Sequence, residues 1–484
     1  MNPVLRTAAV AAALVLAAAG QAQAADLQSA SFVDEATAGG DYYLDGNALG
    51  AVFHFSTAVK VDSIGGNFTA YGDGNAIYGA LVSLSGLSSL ATSAIAHVEF
   101  TPVGGDQTVA LAGVQVAAGD YAVVFGSGLW GTQGSSGLVA AQEAAGGSAA
   151  FVKFVGVDAY EKVIKSGVDL VILTSPPGFR PGHLRAAVEA GKHVFTEKPM
   201  ATDAPGVRSV IESVKIAKQK NLAVVAGFCW RYDYAKRAVF GKMLDGTIGD
   251  LRAVYGTYLT GPVKPMPPAS SRPAGMSDLE WMTRNWYNFT WLSGDGLVEQ
   301  AIHTVDWMMW AMKDQPPTSC TATGGRQIKA EGGNIFDHIS VAYEWPGGVR
   351  GFIAQRQITG CYGENSFYAI GTKGNAYIHR GHYTTDLAGE RTWKYEGPTP
   401  DMYQVEHDEL FASIRAGKPI NNGDRMVTST MAGIMGRMAG YTGQQITWEQ
   451  ALNSKEEIAP QNLRDWNGKV EVPPLALPGR TKFI

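Results

Sequence analysis

The stretch from Asp169 to Asp203, DLVILTSPPGFRPGHLRAAVEAGKHVFTEKPMATD, leaves few folds open, because it reads as one strand-helix-strand unit. Leu170 to Leu173 is a continuous apolar run ending in Thr174-Ser175-Pro176-Pro177, the pattern of a parallel strand buried on both faces. Pro181 opens a helix through Ala190, Gly191 caps it, and His193 to Phe195 begins the next strand. In open α/β sheets ligands sit at the carboxyl ends of the strands. Here those ends carry Thr174-Ser175-Pro176-Pro177 and Glu197-Lys198-Pro199.

This unit resembles the nicotinamide-side half of the Gfo/Idh/MocA oxidoreductases, whose hallmark is the Glu-Lys-Pro. The likeness continues through Trp230-Arg231-Tyr232, Arg284-Asn285-Trp286-Tyr287, Ser293-Gly294-Asp295-Gly296, Glu299-Gln300-Ala301-Ile302-His303-Thr304-Val305-Asp306 and Tyr441-Thr442-Gly443, covering residues 151–455. It implies a Rossmann-like nucleotide-binding domain over 151–230, an α+β open-sheet substrate domain over 231–455 and a tail over 456–484. It also implies hydride transfer to NAD or NADP from a sugar or polyol. Thr174, Ser175, Pro176, Pro177, Glu197 and Lys198 would meet the cofactor. The free face of the C-terminal sheet would join copies into a homo-oligomer.

The first part of the chain follows another grammar. Arg6 precedes an apolar run from Ala8 to Ala19, and Ala22-Gln23-Ala24 offers small residues for cleavage before Ala25, so residues 1–24 read as a secretory signal peptide. The apolar core is too short for a confident membrane span, and the product is expected to be periplasmic or secreted. From 25 to 138, short alternating runs recur between turn residues: Ala51 to Phe55, Val59 to Val61, Ala80 to Val82, His97 to Phe100 and Tyr121 to Phe125. That spacing predicts a β-sandwich-like module of the exported kind. Residues 139–150, ending AAQEAAGGSAA, read as a linker or short helix. The fold class is therefore α/β plus all-β.

A dinucleotide domain should begin with a strand, a glycine-rich turn, a helix and a second strand ending in an acid. The family pattern is instead entered only at Phe151 to Val155, followed by a helix over Ala159 to Ser166. One Gly-x-Gly-x-x-Gly exists, Gly126-Ser127-Gly128-Leu129-Trp130-Gly131, but Gly131 to Gly137 continues as loop and no acidic strand end follows. It reads as a turn after the last sandwich strand, with a makeshift phosphate loop as the alternative. Without the usual first strand, Leu170 to Leu173 is expected to form an apolar edge, and cofactor binding is expected to be weak.

Hydride transfer from an alcohol requires a base for its proton and a cation or donor for the developing carbonyl oxygen. By resemblance Lys198 takes the second role, with Glu197 orienting it or capping a loop. A helix from Leu297 to about Met312 would place Glu299, His303, Asp306 and Trp310 on one face. Glu299 stands where the family's Asp-x-x-x-His has aspartate, so it would hold His303 in one tautomer and make it more basic. Arg284, Asn285, Trp286 and Trp230 belong to a polar aromatic set suited to a hydroxylated ring, with interdomain packing as the alternative, and Asp306 is either a substrate contact or a residue that serves folding behind the site.

Other classes fit poorly. At 484 residues, net charge −5, 45% apolar and 17% charged, the chain is globular with no basic cluster for nucleic acid. Cys229, Cys320 and Cys361 are scattered, and Glu299, His303, His379, His382 and His407 form no recognised metal motif. Two readings remain. One is a sugar or polyol dehydrogenase impaired at its phosphate loop, and the other is a noncatalytic exported β-module protein carrying an enzyme remnant.

Overall fold

The computed structural model describes residues 15–18, 25–28, 41–43, 48–55, 58–70, 76–83, 94–103, 105–126, 129, 132, 136–139, 157–379, 382–387, 390–460, 463 and 465–484. The chain divides into two compact units, Met1–Phe154 and Val155–Ile484.

In the first unit the alternating runs become two antiparallel sheets. One has six strands, Ala25–Gln28, Val15–Ala18, Val59–Ala70, Ser136–Val139 and Asp41–Tyr43 in spatial order, with Gly105–Val116 also paired to Val59–Ala70. The other runs Ala48–Phe55, Gly119–Gly126, Ile77–Ser83, Ala94–Phe100. Val61, Ile64 and Phe68 of one sheet share a core with Leu81, Val123 and Phe125 of the other, and Phe68 meets Phe125 edge-on at 5.0 Å. The module is thus sandwich-like, as alternation predicts. Every run named from the sequence lies in a strand, whereas Gly105–Val116 went unread because Gly113, at φ 75°, interrupts its alternation.

Tyr121 to Phe125 lies in a strand paired antiparallel on both sides, to Ala48–Phe55 and to Ile77–Ser83. Of the Gly-x-Gly-x-x-Gly only Gly126 and Leu129 are described. Of residues 1–24, expected to be a leader, only Val15–Ala18 is described, as a strand between Ala25–Gln28 and Val59–Ala70. Residues 140–150 of the linker and Phe151 to Val155 lie outside the described residues.

The second unit is built on two sheets. Leu170–Leu173, His193–Thr196 and Val224–Ala226 form a parallel sheet in that order. The helices Arg180–Glu189 and Ala204–Gln219 connect them, Pro181 standing in the first turn of one and Asp203 capping the other through Gly206 N–H at 2.7 Å. Val207, Val210 and Val214 bury one face of the second helix, each contributing about 1.5–3 kcal/mol, so an acidic residue at Val210 would break the layer. Burial of Leu170–Leu173 on both faces is corrected: Ile172 is 49% exposed. Among the described residues this strand pairs on one side only, so no neighbour shields it.

The larger sheet has nine strands, in the order Glu390–Lys394, His382–Leu387, Gly374–His379, Glu364–Gly371, Leu251–Thr260, Arg350–Gln357, His338–Glu344, Ser319–Gly325, Ile446–Thr447. Only Leu251–Thr260 with Arg350–Gln357 is a parallel pair. The helices Ile302–Ala311 and Gly423–Thr442 cover one face through Met308, Met309, Met431 and Met435. The opposite face leaves Tyr255, Phe352 and Ile370 exposed at 42%, 41% and 48%. No described helix is long and apolar enough to cross a membrane.

The single helix expected from Leu297 to Met312 is interrupted. It runs as Gly296–Glu299 and then Ile302–Ala311. Ala301 N–H reaches back five residues to the Gly296 carbonyl, and His303 N–H bonds only the Gln300 carbonyl at 3.3 Å. The Glu299 carbonyl, which a continuous helix would give to His303 N–H, is released and accepts from the Lys198 ammonium instead.

Candidate active site

Lys198 follows the strand His193–Thr196 and points into the unit, where its ammonium donates to Glu299 Oε1 at 2.7 Å and to the Glu299 carbonyl. Both side chains are buried, 10% and 7% exposed. The strand-end loop is fixed from beneath. Arg180, itself buried, donates from Nη1 to the Lys198 carbonyl and, at 2.7 Å, to the Pro199 carbonyl. Burial lowers its pKa to about 10, against the pull of Glu197 and Glu299. Glu197 Oε2 accepts the Lys198 amide at 3.2 Å and lies so close over Gly227 that a Cβ there would be 2.7 Å from it. A side chain at Gly227 would have to displace that carboxylate.

His303 sits beside the pair but not on it. Its Nδ1 is buried without a partner, and burial, Lys198 and Lys236 together push its pKa well below 6.5. The expected Glu299-to-His303 contact is therefore corrected: Glu299 is engaged by Lys198, and the imidazole is made less basic, first by its burial and then by the two cations Lys198 and Lys236. His303 is a neutral ring. Trp230 lies tilted against it at 4.7 Å, stacks on Trp307 at 4.1 Å and toward Tyr258 at 6.4 Å, and Tyr258 donates to Gln300 Oε1 at 2.7 Å. Glu299 Oε2 is buried and unpartnered, leaving an acceptor beside the ammonium. A cation, a neutral imidazole and an aromatic wall can hold an alcohol oxygen, accept its proton and face an apolar ring surface.

Several expected substrate residues are occupied elsewhere. Both Asp306 oxygens take Arg231 at 2.8 Å, and Oδ1 also accepts Ser429 Oγ at 2.7 Å, so the carboxylate is satisfied within a buried network. Arg231 is further tied to Asp314, so it too is structural. Asn285 turns its amide to the Trp281 carbonyl at 3.0 Å, closing its own helix. Trp286 packs edge-on to Tyr287, and Trp310 stacks on Phe240 rather than sharing the His303 surface. Asp306 and Arg231 are taken up by partners far away in sequence, whereas Asn285 and Trp286 are held by close neighbours, Trp281 and Tyr287.

Thr174, Ser175, Pro176 and Pro177 form a second group at the end of Leu170–Leu173. Thr174 is exposed, Pro177 is buried, and Ser175 Oγ lies 3.1 Å from His183 Nδ1. Beside them is a cleft of about 710 Å³ walled by Tyr160, Pro176, Phe179, His183 and Trp466, with Arg284 on its rim. Tyr160 and Phe179 both lie parallel to the His183 ring, and burial with Arg180 nearby pushes that imidazole down to about 4. Flat, largely apolar walls suit a planar heterocycle. Arg180, Tyr258 and Gln300 were not singled out by the sequence reading; an arginine on the buried side of Arg180–Glu189 was the one available signal.

Comparison with known proteins begins the likeness at residue 134 rather than at Phe151. Residues 134–228 match the family described as an oxidoreductase family with an NAD-binding Rossmann fold, and residues 241–377 match the GFO/IDH/MocA C-terminal domain. Trans-1,2-dihydrobenzene-1,2-diol dehydrogenase of Mus musculus is 29% identical over 238 residues, 48% of this chain and 62% of that enzyme. The chain thus spans less than two thirds of that relative. Inositol 2-dehydrogenase of Salmonella typhimurium is 25% identical over 279 residues, 54% of this chain and 71% of that enzyme. The crystal structure of an oxidoreductase domain protein from Kribbella flavida superposes with a TM-score of 0.51 at 18% identity, over 60% of this chain and 82% of that one, a likeness of fold alone.

Proposed function

We propose that the Gfo/Idh/MocA-family oxidoreductase domain, which spans roughly residues 134–377, oxidises a secondary alcohol of a sugar or polyol with NAD or NADP as acceptor. The observation that carries this reading is the buried Lys198–Glu299 pair with the neutral His303 beside it at a strand's carboxyl end. Lys198 holds the substrate oxygen and stabilises the negative charge that develops there. His303, uncharged and with a free ring nitrogen, receives the hydroxyl proton. Glu299 holds the Lys198 side chain in place, and Trp230 lies against the apolar face of the ring.

The described residues fit the ring end of the cofactor: the cleft beside Pro176 has aromatic walls, and Ser175 and Glu197 border the two strand ends. When bound, the nicotinamide accepts the hydride. For the phosphates only Arg284 stands at that cleft as a cation, with its side chain on Glu280 at 2.9 Å. Gly126 ends an antiparallel strand, whereas a dinucleotide turn follows a parallel one. This favours weak cofactor binding, and it is the observation that keeps the noncatalytic exported protein as the second reading. The export reading rests on the apolar run Ala8 to Ala19 before Ala22-Gln23-Ala24 alone, and the exposed Tyr255, Phe352 and Ile370 support association of copies through the nine-stranded sheet.

The test is direct. Purified full-length protein is mixed with inositols, aldoses and alditols plus NAD⁺ or NADP⁺, and reduced nicotinamide is followed by absorbance. Turnover lost in Lys198→Met supports the reading. No turnover by a folded protein with any of these substrates at saturating cofactor rejects it in favour of the noncatalytic one.

A further inference from the structure

A second cavity opens on the nine-stranded sheet near the reacting cluster. Its volume is about 280 Å³, near the lower end of the ~300–1,000 Å³ usual for small-ligand sites. Its walls come from two loops, Val263 and Met266 on one and Ile328 and Ile335 on the other, and Val263 and Ile328 are half exposed at its mouth. Tyr287 and Gln357 line it. The Tyr287 hydroxyl donates to Gln357 Oε1 at 2.9 Å, and the Gln357 Nε2 is buried with no acceptor.

That polar pair joins the cavity to the Lys198 cluster. Tyr287 is wholly enclosed, and its hydroxyl is pushed well above its usual range by burial first and then by the nearby Glu299 carboxylate. Gly296, which opens the short helix bearing Glu299, lies against both Gln355 and Gln357, and a Cβ there would approach Gln357 Oε1 to 2.8 Å. A buried amide donor without an acceptor is costly unless something supplies one. Apolar walls at the mouth and one unused donor near the floor describe an occupant that is mostly hydrocarbon with an oxygen at its inner end.

We propose that this cavity is a subsite for the apolar, non-reacting end of the substrate, an alkyl or aryl group joined through an ether or hydroxyl oxygen to the hydroxylated ring held at Lys198. The inference rests on the proposed sugar or polyol dehydrogenase reading and narrows its substrate class to glycosides and similarly substituted rings. Val263, Met266, Ile328 and Ile335 select the substituent, and Gln357 is a positioning residue for the linking oxygen.

Binding is measured by calorimetry on the full-length protein, using phenyl and methyl β-D-glucopyranoside and β-D-galactopyranoside, so that the result does not depend on turnover. The phenyl compounds are expected to bind at least tenfold more tightly than their methyl counterparts. Val263→Asp and Ile328→Asp, at exposed positions where folding is safe, should each erase most of that preference with unchanged thermal unfolding. Equal affinities, absence of binding by both classes, or a preference that survives both variants overturns the proposal. A preference that vanishes in the variants, in a protein that turns over nothing with either cofactor, would keep the subsite and reject the dehydrogenase reading.

Discussion

Lys198 and Glu299 are bound twice over, the ammonium holding both the carboxylate and the backbone carbonyl of one residue. The second bond exists only because the helix is broken after Glu299, so the break and the ion pair are one feature. Removing one partner of a buried pair strands the other charge, at a cost of about 3–5 kcal/mol. Lys198→Met and Glu299→Gln should therefore each lower turnover at least tenfold and lower the unfolding midpoint, and the double variant should lose less stability than the sum. Thermal unfolding and kcat, measured on all three variants, check this. Additive stability losses would mean that the two side chains act independently.

His303→Ala should lower turnover at least tenfold, and because the ring packs against Trp230 and Phe228 its folding temperature is measured beside kcat, so that a loss of activity in protein still folded at the assay temperature marks the chemical role. The sign of its pH response follows from its environment. A lowered pKa keeps the ring neutral well below pH 6.5, so the activity limb attributable to His303 should lie on the acid side of that value. A limb centred at or above pH 6.5 that disappears in His303→Ala would show instead an imidazole made more basic.

Export is tested at the leader. If residues 1–24 are removed, the mature chain recovered from the periplasm or medium of an expressing bacterium begins at Ala25, as intact mass would reveal. Intact chain confined to the cytoplasm would count against it.

Legibility followed sequence distance. Leu170–Leu173, Arg180–Glu189 and His193–Thr196 were readable because periodicity, Pro181 and Gly191 are local signals. Lys198 and His303 were readable from motifs. That Glu299 turns to Lys198, 101 residues away, rather than to His303 four residues on, was not, because no local pattern announces the register shift at Gln300. Asp306 was placed on a polar helical surface, yet its partner Arg231 lies 75 residues upstream and leaves nothing for a substrate. Nothing local to Arg180 announces its carbonyl partners, which lie 18 and 19 residues further on.

Cofactor affinity should be low. The cleft at Pro176 offers ring contacts, but directional phosphate contacts from a helix N-terminus are what give dinucleotides most of their hold. Titration of NADH, followed by its fluorescence, is expected to give a dissociation constant above ~100 μM, a loss of about 2.7 kcal/mol or more relative to a 1 μM site. A micromolar constant at physiological salt would show that a phosphate site exists.

Glu406 should make the fold alkali-sensitive. It is buried at 1% exposure, its Oε2 has no partner, and burial followed by Glu197 and Asp401 raises its pKa to about 9. An unfolded glutamate ionises near its ordinary 4.5, so the stability this group contributes is present below that value and declines as pH rises toward 9. Each unit of difference is worth about 1.4 kcal/mol at most. Glu406→Gln, which keeps the shape and cannot ionise, should raise the unfolding midpoint at pH 8 by at least ~2 °C, with the difference fading near pH 4.5. Paired thermal scans at the two pH values decide the matter. A gap of the same size at both would show that the glutamine acts through packing, and that the Glu406 carboxyl carries no proton into neutral solution.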